Sequence, residues 1–339
     1  MFSYRHAFHA GNHADVLKHT VLIALLEYLT QKDTALSVID THAGAGLYRL
    51  DGDYTATSGE AVDGVLRLFP VSNGAPTQQT PAQEAIKTGA KSTTPKPPVA
   101  KAAAKAGALP TLTPLVQAYV TRLLELNPAL ATSGNAALHL KIYPGSPFIV
   151  QPFLSGRDKL KAFELHPTDY KSLAGNIAQL EVGRQIQVAR EDGFEALKKL
   201  LPPPARRALV LCDPSYEMKN DYARVADSMG DALKRFATGT YAVWYPVIPR
   251  PEAHDLPRRL KTLATKAGRS WLHAVLTVKS SKLTTDEAGD TVRPGLPASG
   301  MFIINPPHTL KAQLEPALAQ LAKLLAQDRH AGFTLEQGG

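Results

Sequence analysis

Ala208-Leu209-Val210-Leu211-Cys212-Asp213-Pro214-Ser215-Tyr216 reads as a strand that ends in a carboxylate, a proline and an aromatic. Five consecutive apolar residues are what a parallel strand covered on both faces requires. In an open α/β sheet, ligands sit in the crevice outside the carboxyl ends of the strands, so Asp213 and its neighbours are expected to face a substrate. A carboxylate beside an aromatic suits chemistry on an amino-bearing base. Asp-Pro and Ser are also common turn formers, and alone the tetrapeptide can be a strand-to-turn exit.

Outward from this stretch the chain alternates. Strands are expected at 137–142, 159–163, 185–190, 240–245, 270–278 and 301–304, with helices at 146–155, 167–180, 194–200, 222–236, 253–267 and 316–325. Strand–helix alternation of this kind predicts an α/β fold, a doubly wound and mostly parallel sheet. Nearer the N-terminus, Asn12 can cap a helix whose apolar positions recur at helical spacing from Val16 to Leu25. A short strand, 35–39, then runs into Asp40-Thr41-His42-Ala43-Gly44-Ala45-Gly46.

A glycine-rich turn after a first strand lets a ligand's polar edge approach the backbone. Two ligands are considered, a dinucleotide pyrophosphate and S-adenosyl-L-methionine. The first calls for GxGxxG, and here no third glycine stands at the required offset from Gly44 and Gly46. Both ligands carry a ribose, which an acid at the end of the second strand binds best. Glu164 fills that place only if the segment 52–136 is looped out as an insertion. Its core, 71–110, is rich in Ala, Pro, Thr, Lys and Gln and lacks aromatics, so disorder is expected there. Glu164 can alternatively be a helix N-terminal charge ahead of Pro167. Asp192, before Gly193, can accept from an adenine amino group or cap the following helix, and Ser146 sits at a loop-to-helix junction where capping is expected.

The formal charge of +8 favours an acidic partner, but five Lys and one Glu between Val71 and Pro110 supply half of it. The single Cys, Cys212, forms no intramolecular disulfide and suits a reducing, cytoplasmic setting. The most apolar stretch near the start, 21–29, is about half a bilayer span, and no signal peptide or membrane segment is expected. His6, His9, His13 and His19 have no Cys partner and no HExxH pattern, so hydrogen-bonding roles are expected and no metal. A second proline-rich site, Asn305-Pro306-Pro307-His308, imitates the first but lacks the aromatic and arrives two strands later.

Glycine turn, ribose acid, adenine-side Asp and then Asp-Pro-Ser-Tyr is the order of an amino-directed methyltransferase. On Ser3-Tyr4-Arg5-His6 through Lys18-His19, Asp40 to Gly46, Tyr143 to Pro147, Glu164 to Pro167, Asp192 to Phe194, Asp213 to Lys219 and Lys234 to Tyr241, the chain resembles the RlmJ family, bacterial 23S ribosomal RNA adenine-N6 methyltransferases. The resemblance implies a Rossmann-like methyltransferase domain over 1–339 with a small helical subdomain in 52–136. It implies S-adenosyl-L-methionine near Lys18, His19, His42, Gly44, Ser146, Glu164, Asp192, Gly193 and Asp213, with catalysis at Asp213, Pro214 and Tyr216. Tyr4, Arg5 and His6 would approach the substrate adenine, Tyr216 would stack on it, and 23S rRNA would be the partner of a monomer. The family usually has Pro where this chain has Ser215. Adenine methylation in DNA, or an RNA-binding relative that has lost transfer, are the alternatives.

Overall fold

A computed structural model describes residues 6–51, 59–69, 111–128, 140–282, 284–285, 291–292 and 295–339. Its strands are β1 (Ser37–Asp40), β2 (Leu47–Arg49), β3 (Ile142–Pro144), β4 (Lys159–Phe163), β5 (Ile186–Ala189) and β6 (Ala208–Cys212). These are followed by β7 (Thr240–Val247), β8 (Trp271–Thr277), β9 (Thr284–Thr285), β10 (Thr291–Val292), β11 (Ala298–Ile304) and β12 (Gly332–Gly338). The α-helices are α1 (His13–Leu29), α2 (Pro114–Glu125), α3 (Ser146–Val150) and α4 (Pro167–Ala178), then α5 (Gly193–Leu200), α6 (Lys219–Arg235), α7 (Pro251–Lys266) and α8 (Leu310–Leu324).

Eight strands form one sheet in the order β12-β8-β11-β7-β6-β1-β4-β5. The run from β5 to β7 is parallel throughout. From β1 the chain passes to β4 and β5 on one side and returns to β6 on the other. The strand order therefore reverses between β1 and β6, which makes the crevice at their carboxyl ends the ligand position of a doubly wound sheet. Asp40 ends β1 and Asp213 follows β6.

Helices cover both faces. α1, α3, α4 and α8 pack one apolar layer with α2, while α5, α6 and α7 pack the other. Fully burying a Leu-sized side chain stabilises by roughly 1.5–3 kcal/mol, so these layers dominate the fold. α1 is buried nearly all round, from Leu17 and Leu22 to His13, Asp15, Lys18 and His19. Asn12 caps it as expected, accepting from the Ala14 and Asp15 amides at 3.0 Å each.

Within 52–136, only 59–69 and 111–128 are described, and the low-complexity reading of 71–110 lies outside those residues. The described parts pack on α1: the Val65 amide donates to the Gly11 carbonyl at 2.7 Å, and Leu115, Val116 and Tyr119 of α2 join its apolar layer. β2 and β3 flank the segment and pair antiparallel.

Several expectations need correction. The sheet is mostly parallel as expected, but β11 and β12 run antiparallel to their neighbours, and the polar run 280–297 contains the paired β9 and β10. α8 begins at Leu310, with Pro316 inside it, and the helix expected over 146–155 is only α3 followed by a 3-10 turn, Gln151–Phe153. Because β11 is antiparallel, Asn305-Pro306-Pro307-His308 emerges at the opposite end of the strands from the crevice. The Asn305 amide is spent on the Ala237 and Gly239 carbonyls. Among the described residues no helix is long and apolar enough to cross a membrane.

Candidate active site

A cavity of about 310 Å³ opens at the carboxyl ends of β1 and β6. At one end lies a buried chain of charges. Lys18 Nζ stands 2.5 Å from Asp213 Oδ2 and 2.9 Å from Asp15 Oδ1. Asp15 Oδ2 in turn accepts from the Gly11 amide at 2.9 Å and lies 2.9 Å from His6 Nε2. Burial works against both charges and is outweighed. His6 and Lys18 hold Asp15 well below the usual carboxylate range, and Asp15 with Asp213 hold Lys18 well above the usual lysine range. Lys18 is therefore a fixed ammonium, and α1 carries it to the end of β6.

Asp40 lies beside this network. Burial, reinforced by the nearby Asp213, pushes its carboxyl up to about 6, against the bond it accepts from Ser146 Oγ at 2.6 Å. Ser146 does not cap α3, whose N-cap is Gly145, but reaches across to β1.

The other end is made of strand-end turns. Glu164 accepts from the Gly44 amide at 2.9 Å and the His166 amide at 2.7 Å, while burial pushes its carboxyl up. Asp192 caps α5 through Oδ1, which accepts from the Phe194 amide at 2.9 Å, and Arg224 Nη2 donates to Oδ2 at 2.6 Å. Burial opposes its charge, but the Arg224 guanidinium keeps it below the usual range. His42, pushed down to about 4 by burial, is neutral at pH 7 and meets the Phe194 ring edge to face at 4.9 Å. A Cβ at Gly193 would sit 2.1 Å from the Thr41 carbonyl oxygen, so only glycine lets the two turns approach this closely. Gly44, at φ +61°, would likewise drive a Cβ into the Tyr48 hydroxyl.

Lys18, His42, Gly44, Ser146, Glu164, Asp192, Gly193, Asp213, Pro214 and His6 all line the cavity. Four other expected residues are not among them. Tyr4 and Arg5 lie outside the described residues. His19 stands behind the wall, 1% exposed, with Nδ1 3.0 Å from the Tyr143 hydroxyl and Nε2 buried without a partner. Tyr216 does not present its ring to the cavity. It is 3% exposed, its hydroxyl donates to the Trp244 carbonyl at 2.6 Å, and its ring packs 4.6 Å from Tyr222. The cause is local: Tyr216 takes the left-handed φ of +54°, which turns its side chain into the layer under the sheet while Asp213 and Ser215 stay at the cavity.

Sequence reasoning missed Asp15 and Arg224. Asp15 stands in the first turn of α1, where an acid is ordinary, yet with Lys18 three residues on it lies in a helix whose apolar residues, Val16, Leu17 and Val21 to Leu26, spread round every face. Charges in such a helix need buried partners, and that signal was available. Arg224 gives no such sign, because α6 is amphipathic and carries many charged residues. Of the other histidines, His9 Nδ1 lies 2.9 Å from Glu60, and His13, neutral at pH 7, donates to the Leu296 carbonyl at 3.0 Å.

With this geometry in view, the chain can be set beside known proteins. The model of the family described as "Ribosomal RNA large subunit methyltransferase D, RlmJ" matches residues 33–94 and 116–336. Two proteins called ribosomal RNA large subunit methyltransferase J, from Escherichia coli K12 and Haemophilus influenzae Rd, are each 35% identical to it. The alignments cover 95% and 99% of this chain and 93% and 98% of those proteins. The crystal structure of protein LPL1258 from Legionella pneumophila is similar with a TM-score of 0.71 at 27% identity, over 98% of this chain and 99% of that one.

Proposed function

The chain belongs to the RlmJ family of ribosomal RNA large subunit methyltransferases, and from that premise we propose that it methylates the N6 amino group of an adenine in 23S rRNA, with S-adenosyl-L-methionine as donor. The observation that carries the proposal is the position of Asp213: it follows β6 at the switch point, paired with Lys18, in the same cavity as Glu164 and Asp192.

The residues present fit the donor. Gly44 and Gly193 line the cavity, Gly193 lets the turn before α5 close up on Thr41 beside it, and the donor's cationic sulfur suits a cavity with many carboxylates. Glu164 is placed for ribose hydroxyls and Asp192 for an adenine amino group, with His42, Ser146, Gly44 and Gly193 completing the wall. Lys18 faces the same space, and His19 supports it from behind. When bound, the donor supplies a methyl group already activated by the sulfonium charge.

The protein's task is then to prepare the amine, whose lone pair is delocalised into the base. Asp213 and the Pro214 carbonyl accept its two N–H bonds, turn the lone pair toward the methyl group and stabilise the positive charge that develops on nitrogen. Lys18 occupies Asp213 Oδ2, which holds the carboxylate in one orientation and leaves Oδ1 for the base. After transfer the extra amino proton leaves to Asp213 and from there to water. Tyr216 acts as an anchor that fixes the Asp213 turn. His6, with Tyr4 and Arg5 before it, contacts the adenine, whose extrusion from structured RNA costs a few kcal/mol.

Purified protein is incubated with labelled S-adenosyl-L-methionine and unmodified 23S rRNA, beside Asp213→Ala and a duplex DNA control, and the products are mapped by mass spectrometry. N6-methyladenine in the RNA, absent with Asp213→Ala, is expected. Label on another base or atom, or in DNA alone, would overturn the proposal.

A further inference from the structure

Seven carboxylates line the cavity, against two permanent cations, Lys18 and Arg224. Lys18 is already shared between Asp15 and Asp213. At the end formed by Glu191, Asp192 and Asp221, Lys199 pairs with Glu191 from outside the cavity, and Arg224 is the lining cation that meets Asp192.

Its contacts do more than balance charge. Arg224 Nη2 donates to Asp192 Oδ2 at 2.6 Å, while the Phe194 amide donates to Oδ1. A carboxylate tied through both oxygens cannot rotate, and the lone pairs left on those oxygens keep one direction. The guanidinium carbon also lies 4.6 Å over the Phe194 ring, which meets His42 on another side. His42, Phe194 and Arg224 thus form a continuous wall held by an edge contact and a cation–π contact.

We propose that Arg224 is a positioning residue for the adenosine end of the donor: it locks the Asp192 carboxylate and backs the Phe194 ring, so that the wall has its binding shape before the donor arrives. The inference rests on reading this cavity as the donor site.

Charge alone predicts the opposite of positioning. Removing a cation from an acidic cavity favours the sulfonium donor over S-adenosylhomocysteine, which lacks that charge. Positioning predicts that both ligands weaken by the same factor, because both share the adenosine. Calorimetric titration of S-adenosyl-L-methionine and S-adenosylhomocysteine into wild type, Arg224→Ala and Arg224→Lys separates the two. Expected is a parallel loss of roughly 5- to 10-fold for both ligands in Arg224→Ala, the size of a half-exposed ion pair plus a cation–π contact. Arg224→Lys should recover part of it, since charge returns without the planar fork. In turnover the loss falls on the donor KM and not on kcat or the KM for RNA. A loss for one ligand only, unchanged binding of both in Arg224→Ala, or a fall in kcat without a change in donor KM overturns the proposal. Wild-type protein that binds neither compound overturns instead the methyl-donor reading beneath it. Arg224 is 40% exposed on a helix surface; should the Ala variant nonetheless fail to fold, Arg224→Lys carries the same test with a smaller parallel loss.

Discussion

The pairs Lys18–Asp213 and Arg224–Asp192 are chemically alike and nearly equal in length, 2.5 and 2.6 Å, but they stand in different surroundings. The side chains of the first are 7% and 13% exposed, those of the second 40% and 29%. Breaking a buried pair strands a charge where water cannot reach it, whereas a half-exposed pair is partly solvated either way. The end of the cavity at Lys18 and Asp213 is therefore built into the core, while the end at Asp192 and Arg224 is a set of half-exposed turns.

Lys18→Met tests this contrast most severely, because it leaves Asp15 and Asp213 together without their cation. A loss of about 3–5 kcal/mol is expected in urea unfolding, with methyl transfer abolished; a change below about 1 kcal/mol would place the pair in the exposed class. Asp213→Asn removes the negative charge but keeps the shape. Single-turnover transfer should fall by about 10²–10³, while S-adenosylhomocysteine binding stays within a few-fold, which separates the two ends. Gly193→Ala acts at the Asp192 end of the cavity. Its Cβ, 2.1 Å from the Thr41 oxygen, must push two backbones apart, at a cost of about 1–3 kcal/mol visible both in unfolding and in weaker donor binding.

A pH series addresses the residue between the two ends. Asp40 is raised from 3.8 to about 6, so its proton favours the folded state and that contribution is lost as pH rises through about 6. The stability of wild type relative to Asp40→Asn should fall with rising pH across that window, by at most about 1.4 kcal/mol per unit. A difference that stayed flat between pH 4 and 7 would mean that Asp40 titrates normally. The smallest effect is expected at Arg235, whose pair with Asp231 on α6 is exposed at both partners. Arg235→Ala should change stability by no more than about 0.5 kcal/mol and leave donor binding unaltered.

Which parts of this were readable in advance follows from how each residue is solvated. β6 has the bounds expected of it because a strand buried on both faces is written as an apolar run, whereas β4 keeps its expected bounds with Lys159 exposed and Lys161 half-buried. β12 was missed because an edge strand pairs on one side only, and Gly332 to Gly338 mixes glycines with polar residues. The direction of β11 left no local trace, so the second proline-rich site could be set aside by position but not by geometry.

Readable from the chain alone were the alternating α/β order, the carboxylate at the end of β6, the acids at 164 and 192 and the glycine-rich turn after β1. Each follows from local rules of burial, turn chemistry and motif spacing. Tertiary structure alone decided that Lys18 closes on Asp213, that Tyr216 turns inward, that Ser146 binds Asp40 instead of capping, and that Arg224 reaches Asp192. These are contacts between residues 195, 28, 106 and 32 positions apart, and their partners are set by how helices pack on the sheet, which no local pattern encodes.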